Sequence, residues 1–406
     1  MIARHDGAIV LVSAAIPGET IEAMVEKVQR GTGWAKTTKV VEASPDRIDP
    51  PGDWACGGSV FAHIRYERQL AIKRDIIRDA LTRIGRMAPP DTIQVHGSPI
   101  DGYRMRARLH LHDGRAGFFK EGTHELCDPG PTRQLLPATI DAVQDLEGVL
   151  RGVPQSGVRE IEVSENCPAD QRTIHLNLAE DTDPSRLGSL PGIPGVTGVS
   201  CGTTGNHHAL VLSGSPIVTD TLTVAATARP LVVTLARHTR SFFQSNRFLL
   251  SDLVAAVVNA VPTGRVLDLY AGVGVFAVTL ATRGDRGVIA VEGDRSAADD
   301  LKKNVSSAGR TMVARHQSVE TFLAVEKDVQ ADAVILDPPR TGLSKEALTG
   351  VTGLHASRLV YVSCDVATLA RDARLIVDGG YRLTSMTAFD LFPNTAHVES
   401  VAVFDR

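Results

Sequence analysis

The sequence predicts a mixed α/β protein. A Rossmann-like, doubly wound sheet is expected over residues 236–406, after a small OB-like β-barrel over 1–50 and an α+β domain over 51–235. Three observations predict it. The C-terminal part alternates apolar strands with helices, the pattern of a parallel sheet covered on both faces. Residues 1–50 alternate apolar and polar side chains between Gly and Pro turns, the pattern of short strands. A glycine turn, Ala271-Gly-Val-Gly274, follows a buried strand and opens a helix.

In chain order, strands are expected at Ala8–Val12, Thr20–Val25 and Lys39–Glu42, ahead of a Pro-rich boundary loop, Pro45–Gly52. The apolar stretch Ile9–Ile16 is too short to span a membrane and reads as a strand rather than a signal peptide. A helix is expected over about 60–86, with Ile64, Leu70, Ile77 and Leu81 at helical spacing and an excess of basic residues. The strand Gly102–Leu111 places Arg104, Arg106 and Arg108 on one face, and Asp113-Gly114 turns it into a second strand. Short strands follow at Glu160–Val163 and Thr173–Leu178, then a hairpin-like pair around Val211 and Val218. In the C-terminal part, strands at Val266–Leu269, Val288–Val291, 311–315, Ala333–Leu336 and Leu359–Ser363 alternate with helices starting near Val275, Ser296, Ser344 and Thr368. A closing strand pair, 381–389 and 398–404, suggests an antiparallel edge.

Composition bounds the function classes. The chain has 406 residues, enough for two or three domains, and 43% apolar with 22% charged residues is ordinary for a soluble protein. A net charge of −4 on its own argues against a nucleic-acid partner, although an average hides local patches. The basic helix near 60–86 and the three-arginine face are such patches, and a phosphate-binding stripe is expected there. Five cysteines, at 56, 127, 167, 201 and 364, are too few and too scattered for a disulfide framework and fit a reducing compartment. No run reaches the ~18 apolar residues of a transmembrane helix, so no membrane association and a cytoplasmic location are expected.

Five segments could carry chemistry. The glycine turn lets a ligand approach the backbone through Gly272 and Gly274, and Glu292, about 20 residues on, can accept ribose hydroxyls. That fingerprint does not separate NAD from S-adenosylmethionine; Asp268, beside the turn, favours the cationic methyl donor over a pyrophosphate. Asp337-Pro-Pro-Arg340 delivers a carboxylate to the ligand-binding edge of the sheet on a rigid loop. Val362-Ser-Cys364 places a thiol between a strand and a helix N-terminus, which stabilises a thiolate. A lone cysteine is more often an inert core residue, but this one shares its sheet edge with Asp337. Asp365 beside it would raise the thiol pKa. Phe392-Pro-Asn-Thr-Ala-His-Val-Glu399 brings Glu399 to a strand start, with His397 read as structural. In Ser241-Phe-Phe-Gln-Ser-Asn246, Gln244 and Asn246 are amides that could read a base or a cofactor. No His/Cys cluster marks a metal site.

Taken jointly and in this order, the last four motifs and the glycine turn resemble the RNA uridine-5-methyltransferase family, which makes 5-methyluridine in tRNA and 23S rRNA. The resemblance covers nearly the whole chain. It implies S-adenosylmethionine as cofactor, contacted by Gln244, Tyr270, Gly272, Gly274, Glu292 and Asp337, with Cys364 as nucleophile and Glu399 as base. Cys364 would add to uracil carbon 6, carbon 5 would take the methyl group, and Glu399 would remove the carbon 5 proton. Residues 1–50, ending Glu42-Ala-Ser-Pro-Asp-Arg47, resemble the RNA-binding TRAM domain of the rRNA members, which favours 23S rRNA over tRNA. Many rRNA members hold a four-iron cluster around Cys-Gly-Gly-Cys. Here Ser59 replaces one cysteine of Cys56-Gly-Gly-Ser59 and Cys127 is displaced, so no iron–sulfur cluster is expected. Val275 and Asp365-Val366 also depart from the family pattern. A monomer is expected. The competing readings are a methyltransferase for another substrate, an RNA-binding protein with a degenerate catalytic domain, and an NAD dehydrogenase.

Overall fold

A computed structural model describes residues 1–153, 155–203, 209–226, 229–284, 286–308, 312–326 and 329–406; residue 311, the expected start of one strand, lies outside these. The N-terminal strands are β1 (Ile2–His5), β2 (Ala8–Ser13), β3 (Thr20–Gln29) and β4 (Thr32–Glu42). They order as β1-β2-β4-β3, with β1 and β3 at the edges. Three register shifts between β3 and β4 twist the pair. These strands make one four-stranded sheet, and its buried core holds only Val12, Ala15 and Ala35.

Helix α1 (Tyr66–Arg83) and strand β5 (Gln94–His96) follow. The helix is shorter than the 60–86 expected because residues 54–64 form turns. Next come β6 (Arg106–His112), β7 (Arg115–Phe119), β8 (Leu126–Cys127), α2 (Pro137–Arg151), β9 (Val158–Glu165), β10 (Arg172–Leu178), β11 (Gly198–Thr203) and β12 (Leu210–Gly214). These strands make a seven-stranded sheet, β12-β11-β10-β9-β6-β7-β8. Alternation puts Ala107, Leu109, Ile161 and Val163 on the face that packs against Val143 and Leu146 of α2. Strands β13 (Ile217–Val224) and β14 (Leu231–His238) form a hairpin of their own. The expected pairing around Val211 and Val218 is thus corrected: Val211 pairs with β11 and Val218 with β14.

The C-terminal part supplies α3 (Leu250–Ala260), β15 (Gly264–Leu269), α4 (Val275–Thr282), β16 (Arg286–Glu292), α5 (Arg295–Ala308), β17 (Met312–His316), α6 (Val319–Val325) and β18 (Ala333–Leu336). It ends with α7 (Lys345–Gly353), β19 (Arg358–Ser363), α8 (Val366–Asp378), β20 (Arg382–Phe389) and β21 (Glu399–Asp405). The sheet order is β17-β16-β15-β18-β19-β21-β20-β5. Strands β17 to β19 are parallel, and β21 is inserted antiparallel between β19 and β20. Their apolar runs are buried on both faces, as a sheet between two helix layers requires. One layer holds α3, α4, α5 and the β13–β14 hairpin; the other holds α1, α6, α7 and α8.

The sheets cut across the expected segments. From within 51–235, α1 and β5 join the large sheet, β5 pairing with β20, and the hairpin packs on α3 and α5. The cysteine expectation is also corrected. Cys56 and Cys127 form a disulfide, Cα–Cα 5.7 Å, across 71 residues of sequence. Cys56 bridges to Lys120 at the end of β7, and Cys127 pairs with Phe118 of the same strand. Only the three-dimensional course of β7 makes them neighbours.

Candidate active site

The described site lies along the carboxyl ends of β16, β15, β18 and β19 and the amino end of the antiparallel β21, five adjacent strands that at ~4.8 Å per strand span about 19 Å. At one end, β15 turns through Tyr270 (φ +63°), Gly272 (φ +56°) and Gly274 (φ +93°) into α4. A Cβ on Gly274 would lie 2.6 Å from Leu301, whereas one on Gly272 would face open space. The first glycine is therefore required by packing and the second leaves room for a ligand. Tyr270 holds a left-handed backbone that bulky residues rarely adopt, a feature that concentrates at ligand sites. Glu292 closes this end: it accepts hydrogen bonds from Gly272 N (2.7 Å) and Asp294 N (2.6 Å).

Asp337 follows β18, level with Tyr270 because Leu269 pairs with Leu336. Gln244, 7% exposed, donates to Asp337 Oδ2 at 3.4 Å. Asp268 is fully buried and accepts from Ala277 N at 2.9 Å, bracing the start of α4, while its other oxygen has no protein partner. Burial pushes the carboxyls of Asp268, Glu292 and Asp337 above their ordinary range, and the nearby carboxylates push Asp268 and Asp337 further; Asp337 reaches about 7. Three carboxyls held together without a cation beside the open glycine turn fit a positively charged ligand such as the sulfonium and ammonium of S-adenosylmethionine. They would repel a pyrophosphate.

At the other end, Ser363 of β19 pairs with Ser400 of β21, so Cys364 and Glu399 are the next opposed residues. Glu399 is 3% exposed. Burial, and then the charge of Asp337, raise its carboxyl well above the usual range. The Cys364 thiol is pushed up to about 11 by burial first, then by Glu399 and Asp337, while Arg340 opposes the shift and hydrogen-bonds the sulfur. The net shift is upward, so the resting thiol is not held as a thiolate despite its place ahead of α8. The Asp365 carboxylate caps α8 through Thr368 N at 2.8 Å. Arg340 is the functional residue that sequence reasoning missed. It closes the Asp337-Pro-Pro-Arg340 motif in sequence, but only the fold turns it back on Cys364.

The amide pair divides. Gln244 joins the cleft, whereas Asn246 is fully buried, accepting from Phe248 and Leu249 N and donating to Leu391 O. Phe243 packs under Arg237 with the guanidinium 4.3 Å from the ring, and Phe242 is exposed. The ring of His397 stands edge-on to Phe392. The expected arginine stripe is corrected as well. Arg104 binds Gln134 and stacks on Phe118, Arg106 pairs with Glu162, and Arg108 pairs with Glu160 and Glu162. Carboxylates on β9 neutralise what β6 presents.

Helix α1 holds the loop that carries Glu399. Gln69 and Asn394 exchange two hydrogen bonds of 2.9 Å, and Lys73 pairs with Asp390 while donating to Phe392 O at 3.0 Å. Lys73 and Asp390 are fully buried. Lys73→Met would strand a buried carboxylate, so we expect a loss of about 3 kcal/mol in urea unfolding. A loss below ~1 kcal/mol would mean that this pair does not anchor the loop.

Comparison with known proteins agrees with this geometry. The family model described as tRNA (Uracil-5-)-methyltransferase matches residues 214–406. A 23S rRNA (uracil(1939)-C(5))-methyltransferase RlmD from Alkalilimnicola ehrlichii is 33% identical over 100% of this chain and 93% of its own length. The protein of the same name from Pseudomonas putida is 32% identical over 100% of this chain and 90% of its own. The crystal structure of Pyrococcus abyssi tRNA (uracil-54, C5)-methyltransferase in complex with S-adenosyl-L-homocysteine shares the fold, with a TM-score of 0.73 at 24% identity over 98% of this chain and 96% of that one. With the fold, the ordered motifs and full-length relatives in agreement, the chain belongs to the RNA uracil-5-methyltransferase family.

Proposed function

We propose that this chain methylates carbon 5 of a uridine in RNA, with 23S rRNA as the substrate ahead of tRNA. One observation carries the chemistry: Cys364 and Glu399 face each other across β19 and β21, beside Asp337 and Gln244. The named activity of the full-length relatives supports the rRNA reading. So does the N-terminal sheet, where Lys27 lies over Trp34 and Lys36 over Trp54. The reading places the protein in the cytoplasm as a monomer. Among the described residues no helix is long and apolar enough to cross a membrane. No iron–sulfur cluster is part of the reading, since Ser59 has no thiolate and Cys56 and Cys127 are bonded to each other.

Gln244, Tyr270, Gly272, Gly274, Glu292 and Asp337 would hold S-adenosylmethionine, which supplies an electrophilic methyl carbon when bound. This chain's own residues prepare uracil to receive it. Uracil carbon 5 is a weak nucleophile. Addition of the Cys364 sulfur to carbon 6 moves the ring π electrons toward carbon 5 and oxygen 4, making an enolate. Once carbon 5 is methylated, Glu399 takes the carbon 5 proton, the double bond re-forms, and the carbon–sulfur bond breaks. Arg340 stabilises the sulfur as it enters and leaves with negative charge. A uridine within folded RNA must be extruded to reach this cleft.

The carboxyl cluster makes cofactor affinity pH-dependent. Asp337, at about 7, is largely protonated below pH 7, and a bound cation favours its ionised form. Binding therefore releases a proton, and affinity should climb up to about tenfold per pH unit between roughly 5 and 7, then level off. Calorimetry in buffers of different ionisation enthalpy measures both effects. A flat profile would remove Asp337 from the cofactor site.

The substrate is tested by mass spectrometry of nucleosides from purified 23S rRNA and tRNA, in cells with and without the gene. Loss of 5-methyluridine from 23S rRNA is expected. Loss from tRNA alone would favour the tRNA reading, and no loss from either would overturn both.

A further inference from the structure

The seven-stranded sheet has one face on α2; the other is covered in part by the β13–β14 hairpin and, beyond it, holds a concavity remote from Cys364. A cleft of about 630 Å³ lies at the β6–β7–β9–β10 end, within the size range of small-ligand pockets. Its wall carries an aromatic platform. The His110 ring lies flat on Phe119, with centroids 3.6 Å apart and planes at 9°, and His124 meets Phe119 edge-on at 5.3 Å. Burial holds the His110 imidazole below its ordinary pKa, so the platform is neutral at physiological pH. Arg159 is exposed on the rim as a cation, His112 is exposed beside it, and Glu160 and Glu180 also face the cleft.

Strand β6 leads from the cleft towards the catalytic end. Arg104 bridges to Asn246, two residues from Gln244, and the pKa of its guanidinium is lowered in part by Arg340. Six residues separate Arg104 from His110, a reach of at most about 20 Å at ~3.4 Å each. A few unstacked nucleotides span that distance.

We propose that this cleft binds one unpaired nucleobase of the RNA, a few nucleotides from the target uridine, stacked on the His110–Phe119 platform. The proposal rests on RNA being the substrate. A flat π surface with a cation at its rim suits a base and its phosphate. Mixed charge does not suit a duplex backbone, which needs cations along its length. The carboxylates of Glu160 and Glu180 can accept from an exocyclic amino group, so cytosine or adenine fits better than uracil.

The test uses the full chain and fluorescein-labelled C10 and U10 oligoribonucleotides, followed by anisotropy. C10 should bind more tightly than U10. Phe119→Leu and His110→Ala should weaken C10 about tenfold, Arg159→Gln about threefold, and Glu180→Gln should narrow the gap between C10 and U10. Arg159 and Glu180 are exposed, so their variants keep the test decisive if a platform variant fails to fold. C10 affinity within twofold of wild type in every folded variant would overturn the proposal. The covalent trapping of 5-fluorouridine RNA, run on the wild-type chain alongside, separates the two readings. Adduct formed with unchanged variant affinities removes the cleft alone. Affinities lost as stated with no adduct on a proven substrate removes the catalytic reading alone.

Discussion

Cys364→Ala should lower 5-methyluridine formation by at least about 10⁴-fold while leaving S-adenosylmethionine affinity within twofold. Without the sulfur, uracil carbon 5 has no route to the enolate, and neither Glu399 nor Asp337 supplies one. The glycine turn and Glu292 lie two and three strands from β19, at β15 and β16, and removing the sulfur takes away no proposed cofactor contact. The thiol also sets a pH profile for the wild type. Its pKa near 11 is raised by burial and two carboxyls, so single-turnover addition should accelerate with pH across the neutral range, approaching tenfold per unit. Arg340→Gln should slow addition at pH 7.5 by removing the one cation that opposes the shift. A Cys364→Ala enzyme that retains full rate would assign this site to a different methyl acceptor.

Glu399→Gln should leave addition and methyl transfer largely intact but slow release by about 10²–10⁴-fold, the range of general-base contributions. The expected result is a methylated, covalently linked protein–RNA complex that accumulates with ordinary uridine RNA and survives denaturing electrophoresis. The buried Glu399 resists ionisation in the resting site. Proton removal therefore depends on the charge balance set by Asp337 and Arg340. If Glu399→Gln turned over at the wild-type rate without a trapped complex, another group would be the base.

The large sheet was legible because its strands are apolar on both faces and its helices have clear periodicity. The chemistry was legible because Asp337, Cys364 and Glu399 each follow or start such a strand. What the sequence hid was long-range. Nothing local in Gln94–His96 says that it pairs with β20, and nothing in Val211 says that its partner is β11 rather than the strand after it. Arg106 and Arg108 share one side of β6, a face that looks basic in sequence, whereas Arg104 precedes the strand and turns to Gln134 and Phe118. Glu160 and Glu162 lie some 50 residues later and meet that face only through the β6–β9 register. The same holds for Cys56 and Cys127, and for Arg340 beside the thiol. Composition gave no hint of any of these pairings, and the net charge of −4 conceals an acidic cofactor cleft beside a neutralised sheet face.

The central claim is that Cys364 forms a covalent bond to uracil carbon 6. Incubation of the full chain with S-adenosylmethionine and a 5-fluorouridine-substituted 23S rRNA fragment tests it directly, because fluorine cannot be removed as a proton and the intermediate stays trapped. The account predicts a denaturation-resistant complex whose mass equals protein plus RNA plus one methyl group, mapped to Cys364 and absent from Cys364→Ala. No complex from wild-type protein, on an RNA whose unsubstituted form it demonstrably methylates, would contradict it.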